Sequence, residues 1–517
     1  MIKSKIILSF ILLTYSIQAF TQKEWLDTVI VNKIKNESLN NSKVMDIAFQ
    51  LTDVNGPRLT NSPGFQRAAN YTKHMLTKWG ITNASLVPFG EFGKGWELEY
   101  FYMAMTAPYY KPLIALPRAW TIGTNGLKSA EVFLIESKEI SELGKYKGKL
   151  SGKILIVYND YVFQHGFQAD AKRFSGTELN KMSEAKTTPK NNSQIKNNIR
   201  QFSLPSTLSP QKVANFNTAL KEMALKEHAI AIINCNPRAK EGTIIVGGIT
   251  GYKSGDPLQM PDIMLTMEDY MTTLRLVKAK VSVTIDLEIK TKFNSNDLQG
   301  YNVIAEIPGN DTVLMKEVVM IGGHLDSWHG STGATDNAAG VSVMMEAVRI
   351  LKALDLKPKR TIRIALWGGE EQGLLGSKGY AKNIFFNLKD DTMFPSYENF
   401  AVYYNLDNGG GKIRGIYVEG NEGARPIFTK WFEPFASMGA NTISDNTTSG
   451  SDHDTFVRIG LPGFQFIQDP LEYDTRTHHT NMDNFDHLIP DDLKQSAIII
   501  ASILYHSAMR EGKFPRK

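Results

Sequence analysis

The chain has 517 residues, too many for one ordinary hydrophobic core, and its 42% hydrophobic and 21% charged residues are those of a folded globular protein. A formal charge of +5, from 58 basic and 53 acidic side chains, is small and spread along the sequence, which excludes the concentrated basic stripe that nucleic-acid binding needs. The single cysteine, Cys235, excludes an internal disulfide framework and, set in the apolar run AIAIINCNP, reads as a buried strand residue.

In chain order, Lys3 and Lys5 precede an apolar run over 6–19, after which polarity begins. By charge and length this is a secretory signal peptide, expected over 1–21, and the run is too short and too early for a retained membrane span. No later segment approaches the roughly 20 apolar residues a span requires. Residues 42–52 and 63–79 have helical spacing, separated by the loop NGPRLTNSPG. NASLVPFGEFG and WELEYFYMAM read as strands, and prolines then punctuate residues 108–117. SAEVFLIE, GKILIVYN, AIAIINCN, DIMLTME and VSVTIDLEIKTKF follow as strand-like runs with helical material between them. The lysines of 186–198 are diluted by Asn, Ser and Pro and read as a solvated loop.

From GYNVIAEIPG onward the pattern is strand–helix alternation. EVVMIGGH is too continuously apolar for a half-exposed strand and reads as buried and parallel. Residues 337–351 are helical, RTIRIALWGG and NFAVYYNLDNGG are strands, GIYVEG and LPGFQFI are further strands, and 490–509 is a closing helix. Repeated βα units predict an α/β fold, a doubly wound, mostly parallel sheet with helices on both faces, interrupted by the strand-rich middle. The expected division is a signal over 1–21, catalytic segments over 22–115 and 289–517, and an inserted domain over 116–288.

Three stretches carry the chemistry: GGHLDSW (322–328), GATDNAAG (333–340) and WGGEEQG (367–373). Ligands in open α/β sheets bind at the carboxyl ends of the strands, where these residues stand. His324 and Asp326 end a buried strand, although a histidine alone there is more simply a strand cap. Asp336 alone would read as a helix N-cap. Glu370 and Glu371 are harder to explain without function. Two adjacent carboxylates near a core are costly unless a cation or a retained proton compensates. Asp407 ends the next apolar strand, and His479, in RTHHTNMDN, supplies a late imidazole, with His478 beside it as an alternative. Nitrogen and oxygen ligands without thiolate suit zinc. A carboxylate bridging two ions about 3.5–4 Å apart is the usual two-metal arrangement.

These motifs, in this order over 302–483, resemble the co-catalytic di-zinc exopeptidases, which include bacterial leucyl aminopeptidases, glutamate carboxypeptidase and carboxypeptidase Q. The segment beginning TNGLKSAEVFLIESKE resembles the protease-associated domain that many of them carry. The resemblance implies two zinc ions per chain, His324 and Asp407 on one, Glu371 and His479 on the other, and Asp336 bridging. Glu370 would be the general base for an activated water, and the Asp326 carboxylate would accept from the His324 ring. His453, in SGSDHDTF, matches a family stretch near the substrate cleft, where it either meets the oxyanion or substrate or is structural. The implied activity is hydrolysis at a peptide end or in a dipeptide by an exported enzyme, periplasmic or secreted, and the implied state a homodimer. Whether the amine or the carboxylate end is recognised stays open. So do two other readings on this fold, a single-zinc glutaminyl-cyclase-like enzyme and a non-catalytic binding protein.

Overall fold

The computed structural model describes residues 24–137, 139–163, 165–186, 216–247, 250–387 and 392–517. The expected signal segment and almost all of the loop over 186–198 lie outside the described residues. The architecture is mixed α/β, built around two eight-stranded sheets.

The first sheet runs in the order Thr82–Glu91, Gln299–Ile307, Thr361–Trp367, Val318–His324, Phe400–Asn405, Gly463–Gln468, Ile413–Tyr417, Thr442–Ser444. Its four central strands, from Thr361–Trp367 to Gly463–Gln468, are mutually parallel, and antiparallel pairings flank them on both sides. The strand Val318–His324 is buried at six of its seven residues because helices cover both faces, which is why its sequence shows no polar alternation. On one face lies the helix Ala339–Ala353, buried at every residue from Ala339 to Leu351. The helices Thr28–Asn41, Val44–Phe49 and Pro490–Met509 join it in one apolar cluster. The other face is covered by Leu375–Phe385 and an aromatic group containing Trp367, Tyr380, Phe385, Phe400, Tyr403 and Phe456. Each fully buried large apolar side chain of this kind stabilises by about 1.5–3 kcal/mol.

Close backbone approach beneath the site demands glycine. A Cβ on Gly340 would fall 2.2 Å from the Leu406 carbonyl oxygen, and one on Gly322 would fall 2.4 Å from that of Ala365. Alanine at either position would force the helix or a neighbouring strand away from the residues that carry Asp407 and His324.

The second sheet runs Lys111–Pro112, Gly95–Ala107, Thr284–Asn294, Lys128–Ile135, Ile154–Val157, Ala231–Asn234, Asp262–Leu265, Ala115–Pro117. It draws in Gly95–Ala107 and Thr284–Asn294 as a long antiparallel pair, so it reaches beyond 116–288 on both sides. That pairing is long-range and leaves no local signature. A cluster containing Leu59, Phe92, Trp96, Trp120, Ile244, Val246 and Trp328 joins the two sheets. The helix Thr28–Asn41 has no counterpart in the sequence reading, because only Val31, Ile34 and Ser38 along it are buried.

Candidate metal centre

The parallel strands of the first sheet end together, and the predicted residues gather where they end. His324 closes its strand, Asp407 stands two residues beyond Asn405, and Glu370 and Glu371 follow Trp367 on a tight turn. His324 Nε2 lies 3.1 Å from Asp336 Oδ1 and 3.2 Å from Asp407 Oδ1. His479 Nε2 lies 3.2 Å from Asp336 Oδ2 and 3.0 Å from Glu371 Oε2. Asp336 therefore stands between two donor sets, one oxygen turned to each. His478 Nε2 is farther, at 3.9 Å from Asp336, and its ring stacks on Tyr473 with centroids 4.7 Å apart.

Asp336 is not a helix cap. Its backbone is non-helical at φ −129° and ψ 82°, and the cap position of the following helix is Ala338. A wide turn over Ala334–Ala338 leaves the carboxylate aimed into the cleft. Asp483, to which the sequence reading gave no role of its own, fixes that turn. Its carboxylate accepts from the Thr335 and Asp336 backbone N–H groups at 2.6 and 3.1 Å and from the Thr335 hydroxyl at 2.7 Å.

The Asp326 carboxylate does not meet the His324 ring as expected. The nearer partner of Nδ1 is the Asp326 backbone carbonyl at 2.9 Å, with the carboxylate at 3.8 Å. That carboxylate accepts instead from the Glu370 and Glu371 backbone N–H groups at 3.2 and 3.4 Å and from Thr60 Oγ1 at 2.8 Å. It orients the glutamate turn, while the carbonyl fixes the histidine.

A second residue missed in sequence is Arg58, fully buried beneath the cleft. Its guanidinium donates to the carbonyls of Leu325 at 2.7 Å, Leu51 at 3.0 Å, Thr332 at 2.6 Å and Gly333 at 2.8 Å. Burial pulls it down to about 10, against the opposing pull of Asp483, Asp326, Asp336 and Glu371. It remains a cation at neutral pH. It stood in a Gly-, Pro- and Asn-rich stretch that reads only as a turn.

Carboxylates outnumber cations here. Burial, reinforced by Asp336, pushes Glu371 up to about 7, and burial with the neighbouring acids holds Glu370 well above the usual range. Burial would lower both histidines, but Asp407 and Glu370 hold His324 well above its ordinary value, and Glu371 and Asp336 raise His479 to about 10. Asp336 Oδ2 and Glu371 Oε1 are buried without a hydrogen-bond partner. Orphaned buried carboxylate oxygens facing imidazoles are what a divalent cation satisfies, and the nitrogen and oxygen donor set fits zinc.

The cleft above has a volume of about 750 Å³, and its lining includes Glu370, Lys378, Asp407, Asp454, Arg458, Tyr473, Asp474 and both late histidines. His453 lines it as well, but the side chain is 1% exposed, and Nε2 lies 2.8 Å from Thr448 Oγ1. Burial lowers it to about 4, so it is neutral. Burial, reinforced by Asp336, keeps the Tyr473 phenol protonated, a hydrogen-bond donor at the cleft wall.

Residues 302–504 match the model of peptidase family M28. The chain is 26% identical to carboxypeptidase Q of Mus musculus over 471 residues, covering 90% of this chain and 86% of that one. A solved M28 peptidase precursor from Shewanella amazonensis shares its fold with a TM-score of 0.66 at 22% identity, over 95% of this chain and 98% of that one. A zinc aminopeptidase from Bacillus subtilis superposes with a TM-score of 0.54 at 18% identity, over 90% of this chain and 95% of that one. The chain is thus a metallo-exopeptidase, and the resemblance to zinc exopeptidases drawn from its motifs holds. Among its described residues, no helix is long and apolar enough to cross a membrane.

Proposed function

We propose that this chain is an exported exopeptidase of the M28 family holding two zinc ions, which removes single residues from peptide ends or splits dipeptides. The observation that carries the reading is Asp336, one oxygen toward His324 and Asp407 and the other toward His479 and Glu371. His324 and Asp407 would hold one ion, Glu371 and His479 the other, and Asp336 both. Zinc supplies a Lewis acid that polarises a carbonyl and brings the pKa of water to about 7. Glu370 accepts the proton of the attacking water and returns it to the leaving amine, a task suited to a carboxyl whose burial has raised its pKa. Tyr473 offers its hydroxyl to the carbonyl oxygen as negative charge develops there.

Recognition of a chain end is supported by charges of both signs at the cleft wall, Lys378 and Asp474, beside the ion pair of Arg458 with Asp454 at 2.6 Å. Export rests on Lys3, Lys5 and the apolar run after them. We read the second sheet as a protease-associated insert and carry over a homodimeric state from the resemblance, which the solution mass would check.

The test is the zinc content of the purified protein, joined to hydrolysis of free, N-blocked and C-blocked dipeptides. Two zinc per chain with cleavage only of substrates bearing a free amine makes it an aminopeptidase. A requirement for the free carboxylate makes it a carboxypeptidase. A single zinc with no dipeptide hydrolysis would return the cyclase-like reading. Asp336→Asn should weaken both ions together, by about 10–100-fold or more, and retention of one at wild-type affinity would remove the bridging role. Zinc needs neutral imidazoles, and carboxylates hold protons on His324 and His479 in the metal-free cluster. Uptake should therefore release protons, and affinity should climb as pH rises from 6 towards 8. An affinity independent of pH would contradict that.

A further inference from the structure

The two donor sets are anchored differently. His324 and Asp407 extend directly from central strands of the first sheet, and Asp407 is further fixed by the Ser451 hydroxyl at 2.5 Å. His479 sits in a long connection after the strand Gly463–Gln468, with a backbone φ of +60°, uncommon for a residue other than glycine. Its support comes from the region of the second sheet.

On one side, Val246 N–H donates to the His479 carbonyl at 3.0 Å, and Ile245 forms an isolated antiparallel bridge with Thr480. Ile244 N–H donates to Asn481 Oδ1 at 2.7 Å, Asn481 N–H returns to the Ile244 carbonyl at 3.1 Å, and Asn481 Nδ2 donates to the Gly242 carbonyl at 3.3 Å. On the other side, Lys172 N–H donates to the Leu471 carbonyl at 2.9 Å, and Arg173 and Phe174 both engage the Asp469 carboxylate at 3.0 Å. Asp170 ties the two arms together, since its carboxylate takes Arg476 at 2.9 Å and also pairs with Lys240. Trp328 meets the His479 ring edge-on at 6.1 Å and packs in the same cluster as Ile244 and Val246.

We infer that residues 170–174 and 240–246 form a clamp that positions His479, so that one metal position depends on the second sheet's region for its imidazole while the other is held by the first sheet alone. Asn481 and Asp170 are positioning residues, acting through the His479 backbone and the turn before it. The inference rests on the two-zinc reading.

The experiment measures zinc retained by the full-length protein against a graded chelator, for wild type, Asn481→Ala and Asp170→Ala, with circular dichroism as the folding control. Two ions in the wild type are the premise, and a lower count overturns the two-zinc reading itself. Given two, each variant should lose one ion about 10–100-fold more easily and keep the other within about threefold of wild type. Equal loss of both ions, or wild-type retention of both in the two folded variants, overturns the clamp. The two substitutions lie on different parts of it, so a failure of one to fold leaves the other to decide.

Discussion

Replacing Glu370 by glutamine should lower turnover by about 10²–10⁴-fold with the zinc content unchanged. Glutamine keeps the size of the side chain, and the backbone N–H that Asp326 holds at 3.2 Å is untouched, so the turn keeps its place. Glu370 belongs to neither donor set, since the atoms nearest the two imidazoles come from Asp336, Asp407 and Glu371. What disappears is a carboxylate that can take a proton and give it back. KM should change little, because the loss falls on a step made only in the transition state. Turnover within a few-fold of wild type, at unchanged zinc content, would remove Glu370 as the base and turn attention to other buried acids of the cleft.

Arg58→Met should cost about 3–5 kcal/mol of stability, a large share of what a domain possesses. The substitution takes a donor from four carbonyls, those of Leu51, Leu325, Thr332 and Gly333, of which Gly333 keeps the Ala338 N–H at 3.0 Å. It also removes a buried positive charge facing Asp326, Asp336, Asp483 and Glu371. Lysine restores the charge but reaches fewer of the carbonyls, so Arg58→Lys should fall between the two. Urea unfolding of the zinc-loaded proteins separates them. A methionine variant within about 1 kcal/mol of wild type would mean that water or rearrangement satisfies those carbonyls.

These two residues mark the difference between what the sequence exposed and what it concealed. Glu370 announced itself, because two adjacent carboxylates after an apolar strand are costly without a purpose. His324, Glu371 and Asp407 share that signal, each at or just beyond the end of a strand whose apolar run is local information. Arg58 had none. Its four partners come from segments scattered between Leu51 and Gly333, so the need for a buried cation exists only in three dimensions. Asp483 was concealed likewise, one more acid in a polar stretch until its carboxylate is seen holding the Asp336 turn. The Asp326 role was half legible. Its nearness to the histidine follows from spacing, but which of its oxygens faces the ring depends on how the chain turns after His324. The helix Thr28–Asn41 escaped because it buries only three of its residues, too few to impose a periodic pattern.

The strand registers have a consequence for how such a chain can be altered. Glu91 pairs with Gln299 where the first sheet is left, and Gly95 pairs with Asn294 where the second is entered. The whole of 95–294 thus departs and returns at a single point, like an oversized hairpin tip. Excising it and joining the flanks by a short turn would break no strand pairing of the first sheet, so such a block can be gained or lost in evolution in one event. A shortened descendant would keep the strands that carry His324 and Asp407, and would have to find another way of holding the loop of His479.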